Sequence, residues 1–271
     1  MVQWIEKPGR LLQARFDSLA AAGVPHAIFS RLGGVSQAPF DSLNTGATVG
    51  DDPAAVHANL QRIYSDLGVA GAHVVTGNLV HGTAVAVVGP EHRGQAMPRT
   101  DGLVTRSPGV VLFLRFADCV PLLFFDRRSR AVGLAHAGWK GTLQGIGPAT
   151  VRTMAQTFGS QAADLLVGIG PSIGPCCYEV GRDVADQARQ SLGPLAPQAL
   201  HASNGRLVLD LWEANRLQLA AMGVEAIEVA SACTACQRHT FFSHRGDSGR
   251  TGRFGVALWM PTDSERGNGH G

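Results

Sequence analysis

The chain has 271 residues, enough for one large domain or two small ones and for a sizeable buried core. Apolar residues make up 45% and charged residues 16%, the profile of a folded chain and not of a disordered one. With 23 basic residues against 21 acidic the net charge is +2, which gives no reason to expect nucleic acid or an anionic membrane as a partner.

The N-terminal stretch MVQWIEKPGRLLQARF has no uninterrupted apolar segment and no small-residue cleavage site, so the expected location is the cytoplasm. No apolar run is long enough to span a bilayer. Residues 27–30 read as a strand entering the turn RLGGVS. Asp52-Pro53 opens a helix, with an N-cap carboxylate followed by a proline at the first helical position. Val56, Leu60, Ile63 and Leu67 recur along it with helical period. Residues 84–88 form a short strand just after His81. The apolar runs 110–116, 121–125 and 131–135 read as buried strands. A helix follows over 145–158 with Pro148 in its first turn, then a strand over 165–169 and a helix over 181–192. Asp210 caps an amphipathic helix that runs through Met222 and stops at Gly223. Strands over 227–230 and 255–260 close the chain. Without regular βαβ alternation, the expectation is one mixed α/β domain over 1–261, with a disordered tail over 262–271.

Three segments place reactive residues at the ends of apolar runs: NLVHGTAV, RFADCVPLLFFD and LAHAGWKGT. Strand ends followed by tight turns are where a rigid scaffold presents functional groups. His81, Cys119 and His136 make a normal three-ligand zinc set with an open fourth position. Their separations of 38 and 17 residues match no short zinc motif, and each residue alone also suits a buried core position. Asp118, beside Cys119, is a candidate proton acceptor or a turn cap. Arg31, Lys140 and Arg245 adjoin glycine- or serine-bearing turns and are candidates for holding an anion such as phosphate.

The five cysteines are an odd count that argues against a disulfide framework. Cys233 and Cys236 form a lone C-x-x-C. A zinc ribbon needs a second such pair, which Cys176-Cys177 does not supply by spacing, and no His-x-Glu accompanies it as in the zinc deaminases. A structural role is expected for Cys233 and Cys236.

The segments SRLGGVS, NLVHG, ADCVPLL, HAGWKGT, GIGPSIG-x-x-CYEVG, LDL and FFSHRGDSGRTGR occur in the order found in one family. The chain resembles the YfiH-type purine nucleoside phosphorylases, long labelled multicopper polyphenol oxidoreductases or laccase-domain proteins, from about Phe29 to Trp259. The resemblance implies mixed sheets in an α/β/β/α layered fold, and zinc on His81, Cys119 and His136. It implies phosphorolysis of adenosine, inosine and S-methyl-5'-thioadenosine to base and sugar 1-phosphate, with accompanying adenosine deaminase activity. Asp118 and Cys119 are then the catalytic candidates, with Arg31, Asn44, Lys140 and Arg245 as substrate-binding candidates. Purine nucleosides and inorganic phosphate are the partners, to a monomer or homodimer. Leu79, Lys140 and His244 stand where the family commonly has Gln, Arg and Tyr. Lys140 keeps the charge but lacks the bidentate fork. Two rivals remain: a copper-dependent polyphenol oxidase, disfavoured because ten histidines contain no His-x-His, and a cysteine hydrolase using Cys119 with His136.

Overall fold

Alternation with period two along the central strands sets the layers of the molecule. In the computed structural model, which describes residues 2–6, 9–203 and 205–262, the strands form two large sheets. A seven-stranded sheet runs in the order β1 (Val2–Ile5), β2 (Gln13–Phe16), β3 (His26–Phe29), β15 (Phe254–Trp259), β8 (Val111–Phe116), β4 (Val74–Gly77) and β6 (Ala96–Met97). A six-stranded sheet runs β14 (Ala226–Val229), β11 (Leu165–Ile169), β9 (Val120–Asp126), β10 (Val132–Ala137), β7 (Gly102–Thr105) and β5 (Val85–Val87). A hairpin, β12 (Leu200–Ser203) and β13 (Arg206–Leu209), stands apart. The helices are α1 (Asp17–Ala21), α2 (Pro53–Leu67), α3 (Trp139–Gln144), α4 (Ile146–Phe158), α5 (Arg182–Leu192), α6 (Ala196–Ala199) and α7 (Leu211–Ala221).

On β8, Leu112, Leu114 and Phe116 face inward between the sheets and pack with Leu123 and Phe125 of β9. The intervening Val111 and Phe113 face the other way and pack with Ile63 of α2. Leu122 and Phe124 of β9 face Met154 of α4, Ala188 of α5 and Leu217 of α7. The order is therefore helix, sheet, sheet, helices, the α/β/β/α layering that the resemblance implied. Both sheets are mixed: β8 pairs antiparallel with β15 but parallel with β4, and β11 pairs antiparallel with β9 but parallel with β14.

The helix signals act as read. The Asp52 carboxylate accepts from Ala54 N at 2.9 Å, and α2 stops at Gly68 in the left-handed conformation. Asp210 accepts from Glu213 N at 3.0 Å, and α7 ends just before Gly223. Unexpected from the sequence are β1, β2, β4, β6, β7, the β12–β13 hairpin and the short helices α1, α3 and α6. These are short, and β7 is buried along its whole length, so it shows no alternation to detect. The expected tail over 262–271 lies, apart from Thr262, outside the described residues.

Candidate metal centre

Three successive connections cross from the seven-stranded to the six-stranded sheet: β4 to β5, β6 to β7 and β8 to β9. The first carries His81, the second Asp101 and the third Asp118-Cys119. His136 reaches the same place from the end of β10, where it lies opposite Pro121 at the start of β9. Pro121 is tolerated because it lies at the end of the β11–β9 ladder, where its carbonyl accepts from Gly170 N at 2.8 Å and no β11–β9 pairing continues beyond it. Residues scattered over the sequence are thus gathered by a repeated topological move.

The ligand atoms of His81, Cys119 and His136 all lie within 4.8 Å of one another. His136 is buried, Cys119 half-buried and His81 exposed, so the cluster opens to solvent on the His81 side. Its rings meet edge to face, with the His81 and His136 centroids 5.0 Å apart. Gly138 closes the back: a Cβ there would stand 2.9 Å from His81 Cδ2 and 3.1 Å from Cys119 Sγ. Only a glycine lets the backbone pass so near the donors.

Asp101 orders this cluster. It is fully buried, and its carboxylate accepts from the backbone N–H groups of Val80 (3.1 Å), His81 (2.9 Å) and Gly82 (2.9 Å). Those bonds hold His81 at φ +59°, a left-handed conformation that a non-glycine residue seldom adopts. The same carboxylate accepts from His136 Nδ1 at 3.1 Å, which fixes the tautomer and leaves Nε2 as the donor for a metal. Sequence reasoning missed Asp101, whose only local signal is a charge in Thr-Asp-Gly just before an apolar run.

The charges of the cluster compensate one another. Burial alone would raise the Cys119 thiol, but the charge of His136 and hydrogen bonds from His136 and His81 bring it down to about 6. Burial alone would lower His136, but the Cys119 thiolate and Asp101 hold it up at about 9. Two imidazoles, one thiolate and an open side fit a zinc site of the catalytic type.

The other expected site residues fall into two groups. Asp118, at φ +78°, accepts from Thr234 Oγ1 and Ser243 Oγ, both at 2.7 Å, and from Arg245 N at 2.6 Å. Its carboxylate ties the two loops around Thr234 and Ser243 to the Cys119 turn. Lys140, in the first turn of α3, and Arg245 are exposed, and Arg245 lies over the Tyr178 ring. Arg31 is committed within the fold: it donates to the carbonyls of Asp41 (2.7 Å) and Arg238 (2.9 Å) and stacks on Phe242. Asn44 is fully buried, with its amide oxygen accepting from Gly46 N and Arg253 N and its nitrogen donating to Asp51. Both serve to fix loops in this conformation. Arg253 is mostly buried and feels the charges of Cys119 and Asp118. Of the departures from the family pattern, Leu79 packs at the edge of the inter-sheet core and His244 is exposed.

The lone C-x-x-C does find a second pair. The sulfurs of Cys176, Cys177, Cys233 and Cys236 also lie within 4.8 Å of one another. The expectation that Cys176-Cys177 would not partner it rested on linear spacing, which the fold bypasses by bridging Ser172 to Cys233.

Residues 25–261 match the profile of a family described as multi-copper polyphenol oxidoreductase laccase. The chain is 43% identical over 242 residues to the purine nucleoside phosphorylase YlmD of Geobacillus stearothermophilus, covering 86% of this chain and 88% of that one. It is 38% identical to a purine nucleoside phosphorylase of Pseudomonas aeruginosa, covering 90% and 96%. The crystal structure of the Geobacillus YlmD superposes with a TM-score of 0.90 over 97% of this chain and 100% of that one, at 39% identity. A Bacillus licheniformis hypothetical protein, YfiH, superposes with a TM-score of 0.88 over 95% and 98%, at 35% identity. The chain therefore belongs to the laccase-like YfiH/YlmD family, whose curated members are named purine nucleoside phosphorylases.

Proposed function

We propose that this protein is a zinc-dependent purine nucleoside phosphorylase. It acts on adenosine, inosine and S-methyl-5'-thioadenosine, with adenosine deamination as a second activity. The observation that carries the reading is the three-donor cluster of His81, Cys119 and His136, ordered from behind by Asp101 and open on one side. Zinc bound there supplies a Lewis acid that polarises an oxygen or lowers the pKa of a water. In phosphorolysis a phosphate oxygen forms a bond to the anomeric carbon, the C–N bond breaks, and its electron pair leaves with the purine. Phosphate carries its negative charge into the site, which favours the neighbouring cations Arg245, Arg253 and Lys140 as anchors. Asp118, already accepting three hydrogen bonds, is read as a positioning residue for the Arg245 loop and not as the proton acceptor. No helix among the described residues is long and apolar enough to cross a membrane, and a cytoplasmic monomer or homodimer is the working picture.

A cysteine hydrolase is the second reading, because a thiolate beside an imidazolium is also a nucleophilic dyad. A copper oxidase, the activity in the family's description, fits less well. Among the described residues the two candidate donor groups hold two imidazoles between them and five thiols, whereas multicopper chemistry draws on many imidazoles. Metal dependence separates the three. The phosphorylase should lose nucleoside cleavage on chelation, regain it with zinc, and turn over under nitrogen. His81→Ala, Cys119→Ala and His136→Ala should each lose the zinc held at this cluster and, with it, the activity. Activity that survives chelation but not thiol alkylation would establish the hydrolase instead. Phenol oxidation that needs copper and oxygen, with no nucleoside cleavage, would establish the oxidase.

A further inference from the structure

Cys176, Cys177, Cys233 and Cys236 take no part in the site described above. Cys176 and Cys177 sit in the loop between β11 and α5, and Cys233 and Cys236 in the loop after β14. Cys236 Sγ is 3.5 Å from Cys176 Sγ and 3.4 Å from Cys177 Sγ, and all four sulfurs lie within 4.8 Å of one another. These are contacts between free thiols, well beyond the bonded distance of about 2.05 Å in a disulfide. Four sulfurs bonded at about 2.3 Å to a tetrahedral ion stand about 3.8 Å apart, a spacing inside the observed range.

We propose that these four cysteines form a second, closed metal site that takes one Zn2+ or a similarly thiophilic divalent cation.

The backbone around them is built to hold this geometry. Ser172 N donates to Ala232 O and Thr234 N donates back to Ser172 O, at 3.2 and 3.0 Å, which pins the two loops side by side. Cys177 N and Tyr178 N both donate to Gly174 O, making a turn. In extended chain, adjacent side chains point to opposite faces. The turn instead lets the neighbouring sulfurs of Cys176 and Cys177 approach Cys236 together. Cys233 is buried, and its sulfur accepts from Gly174 N at 3.2 Å, the kind of N–H donor that supports a thiolate ligand. A divalent ion on four thiolates leaves a net charge of −2. A hollow of about 400 Å³ beside Cys176 and Cys177 is lined by Arg206, Arg238 and Arg245 against one acidic residue, Glu179, which pairs with Arg206 at 3.5 Å, so the lining keeps a net positive charge that opposes it. Cys176 and Cys236 are exposed, so an ion can enter from solvent.

The expected role follows from where the loops lead. Thr234, inside the C-x-x-C, donates to the Asp118 carboxylate at 2.7 Å, and Ile173 N donates to Asp118 O at 3.0 Å. A metal joining the loops fixes both bonds beside Cys119. Four sulfur ligands with no open position make a structural centre and not a catalytic one.

The test uses the full chain purified anaerobically with a non-thiol reductant, with zinc counted by elemental analysis and Co2+ substituted as a spectroscopic probe. Wild type should carry about two metals per chain. His81→Ala/His136→Ala should keep one, and its Co2+ form should show the charge-transfer bands and strong d–d absorption of a tetrahedral four-thiolate centre. Cys176→Ser/Cys236→Ser, at exposed positions, should lose that signature and keep one metal at the other site. If this variant does not fold, Co2+ titration of the histidine variant decides alone. A histidine variant that binds no Co2+, a cysteine variant that still binds two metals, or disulfides among the four sulfurs in freshly isolated protein would overturn the proposal.

Discussion

At the scale of single residues, one buried carboxylate governs two of the three donors in the candidate metal cluster. Asp101 holds the His81 turn through three backbone N–H groups and the His136 ring through Nδ1. Asp101→Asn preserves shape but removes the charge and turns one acceptor into a donor facing N–H groups. Zinc affinity should fall about 10- to 100-fold, the usual effect of losing such an outer partner, as read by competition with a chromophoric chelator. Unchanged affinity would mean that Asp101 supports only the turn. Gly138→Ala should also lower zinc occupancy, since its Cβ would press on His81 and Cys119 at 2.9 and 3.1 Å. Full occupancy with unaltered affinity would show that the site has room to yield. The clustering of His81, Cys119 and His136 was anticipated because His and Cys interrupting apolar runs are chemically conspicuous and the family resemblance groups them, their spacing matching no short motif. Asp101 was not, because a carboxylate before a strand looks like an ordinary turn cap and its partner His136 is 35 residues away. For Arg31 and Asn44 a polar side chain near glycines carries no local mark of whether it faces a ligand or its own fold, and in the structure both bond to neighbouring loops.

At the scale of elements, capped helices announce themselves and short strands do not. Asp210→Ala should destabilise the protein by about 1 kcal/mol through loss of the α7 cap, seen as a lower denaturant midpoint with unchanged slope. A change within error would assign the stability of α7 to packing alone. The β2–β3 pair holds a subtler device. His26 is buried; its Nε2 accepts from Phe16 N at 2.8 Å, and its Nδ1 donates to Val24 O at 2.8 Å. Burial is the main cause that pushes the ring from its ordinary 6.5 down to about 4. Protonation would also set an N–H against the Phe16 N–H. The unfolded chain takes up this proton near pH 6.5 and the folded chain only near pH 4. Stability present above pH 6.5 is therefore lost as the pH falls toward 4, by about 3 kcal/mol for this group. Denaturation curves of His26→Gln should show a shallower loss over that interval than wild type. Equal slopes would mean that other groups carry the acid sensitivity. None of this was visible in the sequence, where β2 alternates over only four residues and His26 carries no mark of its partners.

At the scale of the whole molecule, function depends on topology more than on any one motif. The layered architecture was anticipated through the ordered family segments, and the alternating burial of β8 and β9 gives its physical cause. The three crossings from the seven-stranded to the six-stranded sheet could not be read from spacing, yet they gather His81, Asp101 and Cys119. The same limit hid the four-sulfur cluster, because the two loops that carry it are joined only by folding. With the candidate metal cluster at those crossings and Arg245 and Arg253 beside it, the proposed reaction takes phosphate as its second substrate. The most direct measurement is hypoxanthine release from inosine under nitrogen, with zinc-replete protein, in the presence and absence of inorganic phosphate. Inosine is preferred to adenosine because deamination uses water and needs no phosphate. A phosphorylase releases base only when phosphate is present, matched mole for mole by ribose 1-phosphate, and this is the expected result. Base release at the same rate without phosphate, or none from any purine nucleoside by the zinc-replete protein, would contradict it.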